Sequence, residues 1–391
     1  MISRDEVLSL RGEWGLREDI IEKDYVLGWL LAGIASDPVL NETWAFKGGT
    51  CLRKCYYETY RLSEDLDFTI VGGGPETPAD LRSVFERIST WLRDACGLEI
   101  IVDDTTFRRR TNLRGNPTTE GRVAYRGPLN PPSLPKVKLD LTSDELFVGP
   151  GAIRPVLHPY SDADRLQARI LCYPMSELLS EKIRALVQRC RPRDLYDVVN
   201  VYRHPDLLGN PLAVTAALAR KCEFVGIAVP NAESFEQSST RIELDAEWAN
   251  MLAHQLPHLP AVDAYWRELP AVFAWLNGAQ LPTLARVTVG ANVDPDWSPP
   301  RAFTTWKSGA RMELIRFAGA NRLLIDIDYR AEDGRWGRRV VEPYSVRRTR
   351  EGNLLLFVVN DRGQLRSYRL DRIAGVRVVD QTFRPRFIVE F

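Results

Sequence analysis

FKGGTCLRKCYYETYRLSEDLDF, residues 46–68, is the stretch on which the fold turns. It reads as a strand, a glycine turn, a helix, a loop and a second strand around Leu66–Val71. Residues two apart on a strand face the same side of a sheet. Asp65 and Asp67 therefore offer two carboxylates together. Hard oxygen ligands of this kind suit Mg2+ or Mn2+, and paired metals clamp the attacking and leaving oxygens of an in-line phosphoryl displacement. Upstream, Lys47 leads into Gly48-Gly49-Thr50 at a strand-to-helix junction, where a backbone without side chains can approach phosphate oxygens. Taken alone, GGT is an ordinary tight turn and DLD an ordinary surface turn; the ordered combination carries the weight. Ser63, two residues before Asp65, is either a turn residue or a hydroxyl facing phosphates.

Moving outward, KVKLDLT (136–142) reads as a neighbouring strand whose Asp140 supplies a third carboxylate. Lys182 falls mid-helix in ELLSEKIRALVQR. Beside Glu181 it reads as a solvated face; close to the sheet it reads as an ammonium gripping phosphate. Asp194 and Asp197 stand i and i+3 in RPRDLYDV and share a helix face. They either cap that helix, pair with Arg193 or Arg184, or hold Lys182 in place. The chain has eight lysines against 44 arginines. Where Arg is so strongly preferred, a Lys marks a place where a compact ammonium is needed in place of a flat guanidinium. Lys23, Lys47, Lys54, Lys136, Lys138 and Lys182 all lie in or near these segments.

A chain of 391 residues is too long for one ordinary core. Its 45% apolar and 27% charged residues are those of a folded globular protein. No apolar run is long enough to span a membrane, and the charged start MISRDEVLSLRGEW lacks the apolar core of a signal peptide. A cytoplasmic protein is expected, with no membrane partner. The six cysteines (51, 55, 96, 172, 190, 222) show no CxxC spacing. Cys51 and Cys55 sit four apart on one helix, but no second pair completes a zinc site, so reduced thiols are expected.

IIEKDYVLGWLLAGIA (20–35) and PADLRSVFERISTWLRDAC (78–96) carry helical periods. GLEIIVDDTTFRRR, GRVAYRGPL and KVKLDLT read as strands of one sheet, and residues from Asp194 to about Gly278 as mostly helical. The Pro-rich stretch 281–300 reads as a linker. Beyond it, short apolar runs alternate with Gly, Asn and Asp turns, the spacing of a small β-barrel. From Arg301 to Phe391 there are 19 Lys+Arg against 11 Asp+Glu, a balance of +8 on a chain of net charge zero. An anionic ligand or a solvated basic face would account for that.

Taken together, IIEKDYVLGWLL (20–31), residues 46–68, KVKLDLT (136–142), SELLSEKIRALVQRCRPRDLYDV (176–198) and DAEWANMLAHQLP (245–257) resemble the AbiEii/MenT nucleotidyltransferase toxins over roughly residues 15–278. The resemblance implies transfer of nucleotides from an NTP, a paired antitoxin, a role in growth arrest or phage defence by abortive infection, and tRNA as acceptor. It also implies that Gly49 and Ser63 face phosphates, Asp65 and Asp67 bind metal, Lys182 grips the triphosphate and Asp194 is the late acidic residue. Asp140 fits the third-carboxylate position. The C-terminal segment resembles a WYL domain through RRVVEPYSV (338–346), SYRLDRIAGV (367–376) and FRPRF (383–387), with Leu354-Leu355-Leu356 where the Trp-Tyr-Leu tripeptide would stand. Such a domain implies a nucleic-acid or nucleotide ligand, for which Arg339, Arg347, Arg366, Arg369 and Arg372 are the candidate contacts.

The expected fold is α+β: a nucleotidyltransferase-like mixed sheet with flanking helices over residues 1–280 (sheet core to about 150, helical part 165–280), a linker at 281–300, and an Sm/SH3-like barrel over 301–391. The expected function is Mg2+- or Mn2+-dependent transfer of a nucleoside monophosphate from an NTP to an RNA 3′ end, with the barrel regulating an activity it does not perform. The alternatives are a nucleotide- and nucleic-acid-sensing regulator without transfer, and phosphoryl or nucleotidyl transfer to protein with Ser63 as acceptor.

Overall fold

Strand β1 (Trp44–Lys47) sits inside an eight-stranded mixed sheet and delivers the glycine turn at its end. The other strands are β2 (Asp65–Ile70), β3 (Glu99–Ile100), β4 (Thr106–Thr111), β5 (Pro117–Arg126), β6 (Lys136–Thr142), β7 (Ala152–Pro155) and β8 (Arg169–Cys172). Their order is β3-β5-β6-β2-β1-β8-β7, with β4 also paired to β5. β2 runs parallel to β6 and β1 parallel to β8, while β1–β2 and β5–β6 are antiparallel. This is a computed structural model; it describes residues 1–57, 61–112, 114–235, 238–299 and 310–391.

The pairing register places the chemistry. Lys47 stands opposite Asp67, Asp67 opposite Asp140, and Asp140 opposite Glu120. Direct partners across a ladder share a face, so β1, β2, β6 and β5 form one row. A second row joins Asp65, Lys138 and Arg122.

The Glu18–Ser36 helix is buried on nearly every side and packs against the Pro78–Cys96 helix and β8. Its amphipathic stripe, expected from residues 20–30, understates this burial. Two carboxylates go inside with it, and both find partners. Glu22 accepts a hydrogen bond from the Leu129 amide, and Asp24 takes Lys54 at 2.7 Å, Arg53 at 3.5 Å and the Tyr160 hydroxyl at 2.8 Å. The helices Met175–Arg189 and Pro192–Tyr202 follow the sheet, and helices Pro211–Val225, Ser238–Leu252 and Leu269–Leu276 complete the extension.

The C-terminal unit begins with the Met312–Ala320 helix and continues as β9 (Leu323–Arg330), β10 (Trp336–Arg348), β11 (Leu354–Asn360), β12 (Leu365–Arg369) and β13 (Ile373–Thr382). All neighbours are antiparallel, in the order β12-β11-β10-β9-β13. A register shift between Pro343 and Ser345 lets the long β10 serve β9 with its first half and β11 with its second. Among the described residues no ladder joins β12 to β13; the five antiparallel strands form the separate β-rich C-terminal unit that was expected. Leu356 lies buried in β11.

Residues 285–294, expected in the linker, are tied to this unit. Ala285 bridges Phe387, Val293 bridges Thr349, and Val287 and Val293 pack with Tyr344, Phe357, Val359 and Phe383. The expected boundary at 300–301 lies outside the described residues. The apolar core is also continuous: one cluster runs from Ile2 through the sheet and helices to Phe317, Ile325 and Val376. At the seam, Tyr196 and Tyr265 both donate to Asn321 Oδ1, and Arg203 and Arg322 share Glu268.

Candidate active site

Glycine is required at both positions of the turn. Gly48 has φ +81°, and a β-carbon there would collide with the Asp67 carboxylate. A β-carbon on Gly49 would collide with the Arg61 guanidinium and come within 3.3 Å of Ser63 Oγ. Ser63, itself buried, is thus brought beside the turn. Thr50 is fully buried and its hydroxyl donates to the Asp65 carbonyl. That bond stitches the turn to β2, so the Thr50 side chain is a brace for the site, not the free nucleotide contact expected of it. Lys47 forms an ion pair with Glu145 beside Asp67. Burial lowers its pKa against the pull of Glu181 and Asp67.

The three carboxylates stand on the neighbouring strands β2 and β6, near enough for Asp140 and Asp65 to act on the charge of Asp67. Burial pushes the Asp67 carboxyl up, with Asp140 and Asp65 adding to it and Lys47 opposing, to about 6. Burial also raises Asp65, against Lys138 and Arg193. Asp140 is partly exposed and ion-paired with Lys138, two residues away on the same strand face. The cluster is crowded with negative charge that only cations can relieve.

Lys182 is held between two carboxylates, 2.7 Å from Asp197 Oδ2 and 3.2 Å from Asp194 Oδ1. The solvated-face reading is excluded, since only 10% of the side chain is exposed. Asp194 also takes Arg189 at 2.8 and 3.0 Å, and Asp197 takes a two-pronged Arg61 at 2.8 and 2.9 Å. Arg61 reaches Gln255 Oε1 at 2.9 Å as well. Burial would raise Asp197, but Arg61 and Lys182 hold it well below the usual carboxylate range. Burial opposes the charge on Lys182, yet Asp197 and Asp194 raise its pKa. The result is a relay of alternating charge that opens to solvent at Arg189 and is buried through Asp194, Lys182, Asp197 and Arg61, ending over Gly49. Of the options open for Asp194 and Asp197, holding Lys182 in place is the one seen. Arg61, Arg189, Lys138 and Gln255 were not singled out as site residues. The one signal for Arg61 was indirect: a glycine pair needs something to crowd it, and a loop between helix and strand can supply that.

The five C-terminal arginines do not converge. Arg347 is buried, bound to Glu390 at 2.6 Å and to the Trp297 carbonyl at 3.2 Å, which makes it a structural tie and corrects its assignment as a ligand contact. Arg369 pairs with Asp371, and Arg372 reaches Glu332 at 3.5 Å. Arg339 and Arg366 are exposed. Arg366 and Arg369, three apart on β12, project to opposite faces.

A mixed sheet with a glycine turn at one strand end and three acidic residues on the two strands beyond it is the framework of a nucleotidyltransferase. Residues 29–275 match the family described as nucleotidyl transferase AbiEii toxin of type IV toxin–antitoxin systems, and residues 310–378 match the WYL domain. The chain belongs to the AbiEii nucleotidyltransferase toxin family and is an NTP-using nucleotidyltransferase. Among solved structures, it is similar to MenT4, a nucleotidyltransferase toxin from Mycobacterium tuberculosis H37Rv. That match has 18% identity, 71% of this chain and 88% of that chain covered, and a TM-score of 0.45. A more distant match is the proteasome accessory factor B/C of Arthrobacter aurescens, with 20% identity, 54% of this chain covered and a TM-score of 0.19; the chain spans 32% of that protein. No curated protein matches significantly. Among the described residues no helix is long and apolar enough to cross a membrane.

Proposed function

We propose that this toxin transfers a nucleoside monophosphate from an NTP to the 3′ end of an RNA acceptor, with tRNA foremost, in the cytoplasm and under the control of a cognate antitoxin. The observation that carries the reading is the register row: Lys47, Asp67 and Asp140 side by side on three adjacent strands, with Gly48-Gly49 at its end. Nothing in a protein that merely binds nucleotide requires three acidic groups there.

Asp65, Asp67 and Asp140 fit a divalent cation by donor chemistry. They are hard oxygens, and the charge on Asp67, disfavoured first by burial and then by Asp140 and Asp65, is what a bound cation would stabilise. Bound Mg2+ or Mn2+ would neutralise phosphate charge and activate the attacking hydroxyl. The chain's own residues do the rest. The Gly48-Gly49 backbone leaves room for the phosphates. The Lys182–Asp197–Arg61 relay fixes Arg61 over the turn, so positive charge is preorganised before the nucleotide arrives. Asp140, the most open carboxylate of the three, or Asp65 takes the proton of the RNA 3′ hydroxyl. The oxygen bonds to the α-phosphorus and pyrophosphate leaves.

The test is incubation of the chain with total RNA and each labelled NTP in turn, with and without Mg2+. Metal-dependent label in tRNA supports the reading. Label in the protein itself would move the acceptor to a side chain such as Ser63, and no transfer to either would leave only nucleotide sensing.

A further inference from the structure

Away from the carboxylates, a second set of metal-capable groups converges. Among the described residues, Cys51, Cys55 and Cys172 are the one trio whose ligand atoms all lie within 4.8 Å of one another, and all three are buried. Cys51 ends the short helix begun at Gly48, and Cys55 stands four residues on, in the π-helical turn Leu52–Tyr56. Cys172 arrives from β8, where it pairs with Phe46 of β1. No sequence spacing announces this trio, because the third thiol comes from a different strand.

We propose that Cys51, Cys55 and Cys172 bind one thiophilic d10 cation, zinc, which clamps the helix of the glycine turn to β8. A zinc ion bonded at about 2.3 Å to three sulfurs holds them roughly 3.8 Å apart, within the spacing observed. Soft thiolates select zinc over the hard cations that suit the aspartates. The Tyr56 hydroxyl lies 3.8 Å from Cys172 Sγ and donates to the Tyr173 carbonyl at 2.7 Å, which fixes its ring beside the trio. Three thiolates around a dication leave one negative charge, and a counter-charge is in place. Arg154 donates from Nε to the Cys55 carbonyl at 3.2 Å and stacks its guanidinium 4.7 Å from the Tyr56 ring centroid. Thiol protons leave to solvent as each sulfur bonds, and no electron is transferred. Burial of the trio favours a structural ion over a redox exchange, which needs access to solvent thiols.

The experiment uses the full chain, reduced and oxygen-free, titrated with Co2+ as a spectroscopic stand-in and then with Zn2+, in excess Mg2+ to occupy the carboxylates. One equivalent of Co2+ giving sulfur-to-cobalt charge-transfer absorption, displaced by one equivalent of Zn2+, is the expected result. Cys172→Ser should lose the band and at least tenfold in affinity. Cys190→Ser, a cysteine outside the trio, should keep both. Should Cys172→Ser fail to fold, Cys55→Ser gives the same reading, and at constant excess Mg2+ the wild-type chain with one equivalent of Zn2+ should melt several degrees above the chain without it. Cobalt bound without the charge-transfer band, or no binding at all, would overturn the proposal.

Discussion

In chelator, Asp67 keeps a proton up to about pH 6, whereas in the unfolded chain it releases that proton near 3.8. Between those values the unfolded state gives up a proton that the folded state retains. Stability therefore falls as pH rises through that window and stays lowered above it. Asp67→Asn removes the penalty. At pH 8 in chelator the variant should melt above wild type, by on the order of 1 kcal/mol, while losing transfer. A variant that melts no higher than wild type would remove the charge penalty on which the metal reading rests. Asp65→Ala and Asp67→Ala should likewise abolish transfer without unfolding the chain, and wild-type activity in either would sink it. Gly49→Ala drives a methyl into Arg61 and should cost both activity and stability, measured by turnover and thermal melt. Lys182→Arg should lose most activity, since Arg61 already occupies Asp197 with a two-pronged contact and a second fork has no room; full activity there would reduce Lys182 to a dispensable counter-ion. Asp65 and Asp67 share a face by strand period alone, and Asp140 joins them because KVKLDLT pairs beside that strand in parallel. Arg61 was not legible in the sequence, because only the folded loop carries it to Gly49.

A charged side chain in an apolar helix is where sequence reading and packing diverge at the level of elements. The stripe from Ile20 to Leu30 announced the Glu18–Ser36 helix but not that Asp24 would be sealed inside it. Asp24 ties that helix to the π-helical turn through Lys54 and Arg53. Burial would raise the Asp24 carboxyl, but Lys54 and Arg53 outweigh it and hold it down to about 2, while burial lowers Lys54 to about 8. Removing one partner of a buried pair strands the other. Asp24→Ala should therefore cost about 3–5 kcal/mol in a denaturant melt, whereas an exposed pair such as Arg17–Asp19 should contribute under about 1 kcal/mol. A loss below 1 kcal/mol at Asp24 would mean that water reaches this site. The β-rich C-terminal unit was legible from its turn spacing. Cys172 was hidden, because only the parallel pairing of β8 with β1 delivers it to the helix carrying Cys51 and Cys55.

Two family matches on one chain invite a cut between them, near residue 280, but the core does not divide there. The Pro192–Tyr202 helix carries Asp194 and Asp197 on the side of Lys182, and between them Tyr196 donates at 2.9 Å to Asn321, the residue that ends the first helix of the C-terminal unit. Tyr265 donates to the same oxygen, and Arg203 reaches the Asn321 carbonyl at 3.3 Å. One element thus touches both the charge relay of the transferase and the WYL unit, a physical route by which a ligand on the second could alter the first. Truncation after residue 280 exposes apolar surface of the shared core, removes the partner of two buried hydroxyls and takes away the tie of Glu268 to Arg322. The truncated chain should therefore melt well below the full chain or aggregate, seen by calorimetry and size-exclusion chromatography. Asn321→Ala is the finer probe. It should cost about 1–3 kcal/mol, the penalty for leaving buried donors without their acceptor, and should lower the transfer rate more than nucleotide affinity if the relay is disturbed. Binding of RNA to the exposed arginines, such as Arg339 and Arg366, should weaken steeply with salt and should survive Asn321→Ala, because those side chains lie away from the seam. A truncation that stays folded and transfers at the full rate would show that the two units are joined without being coupled.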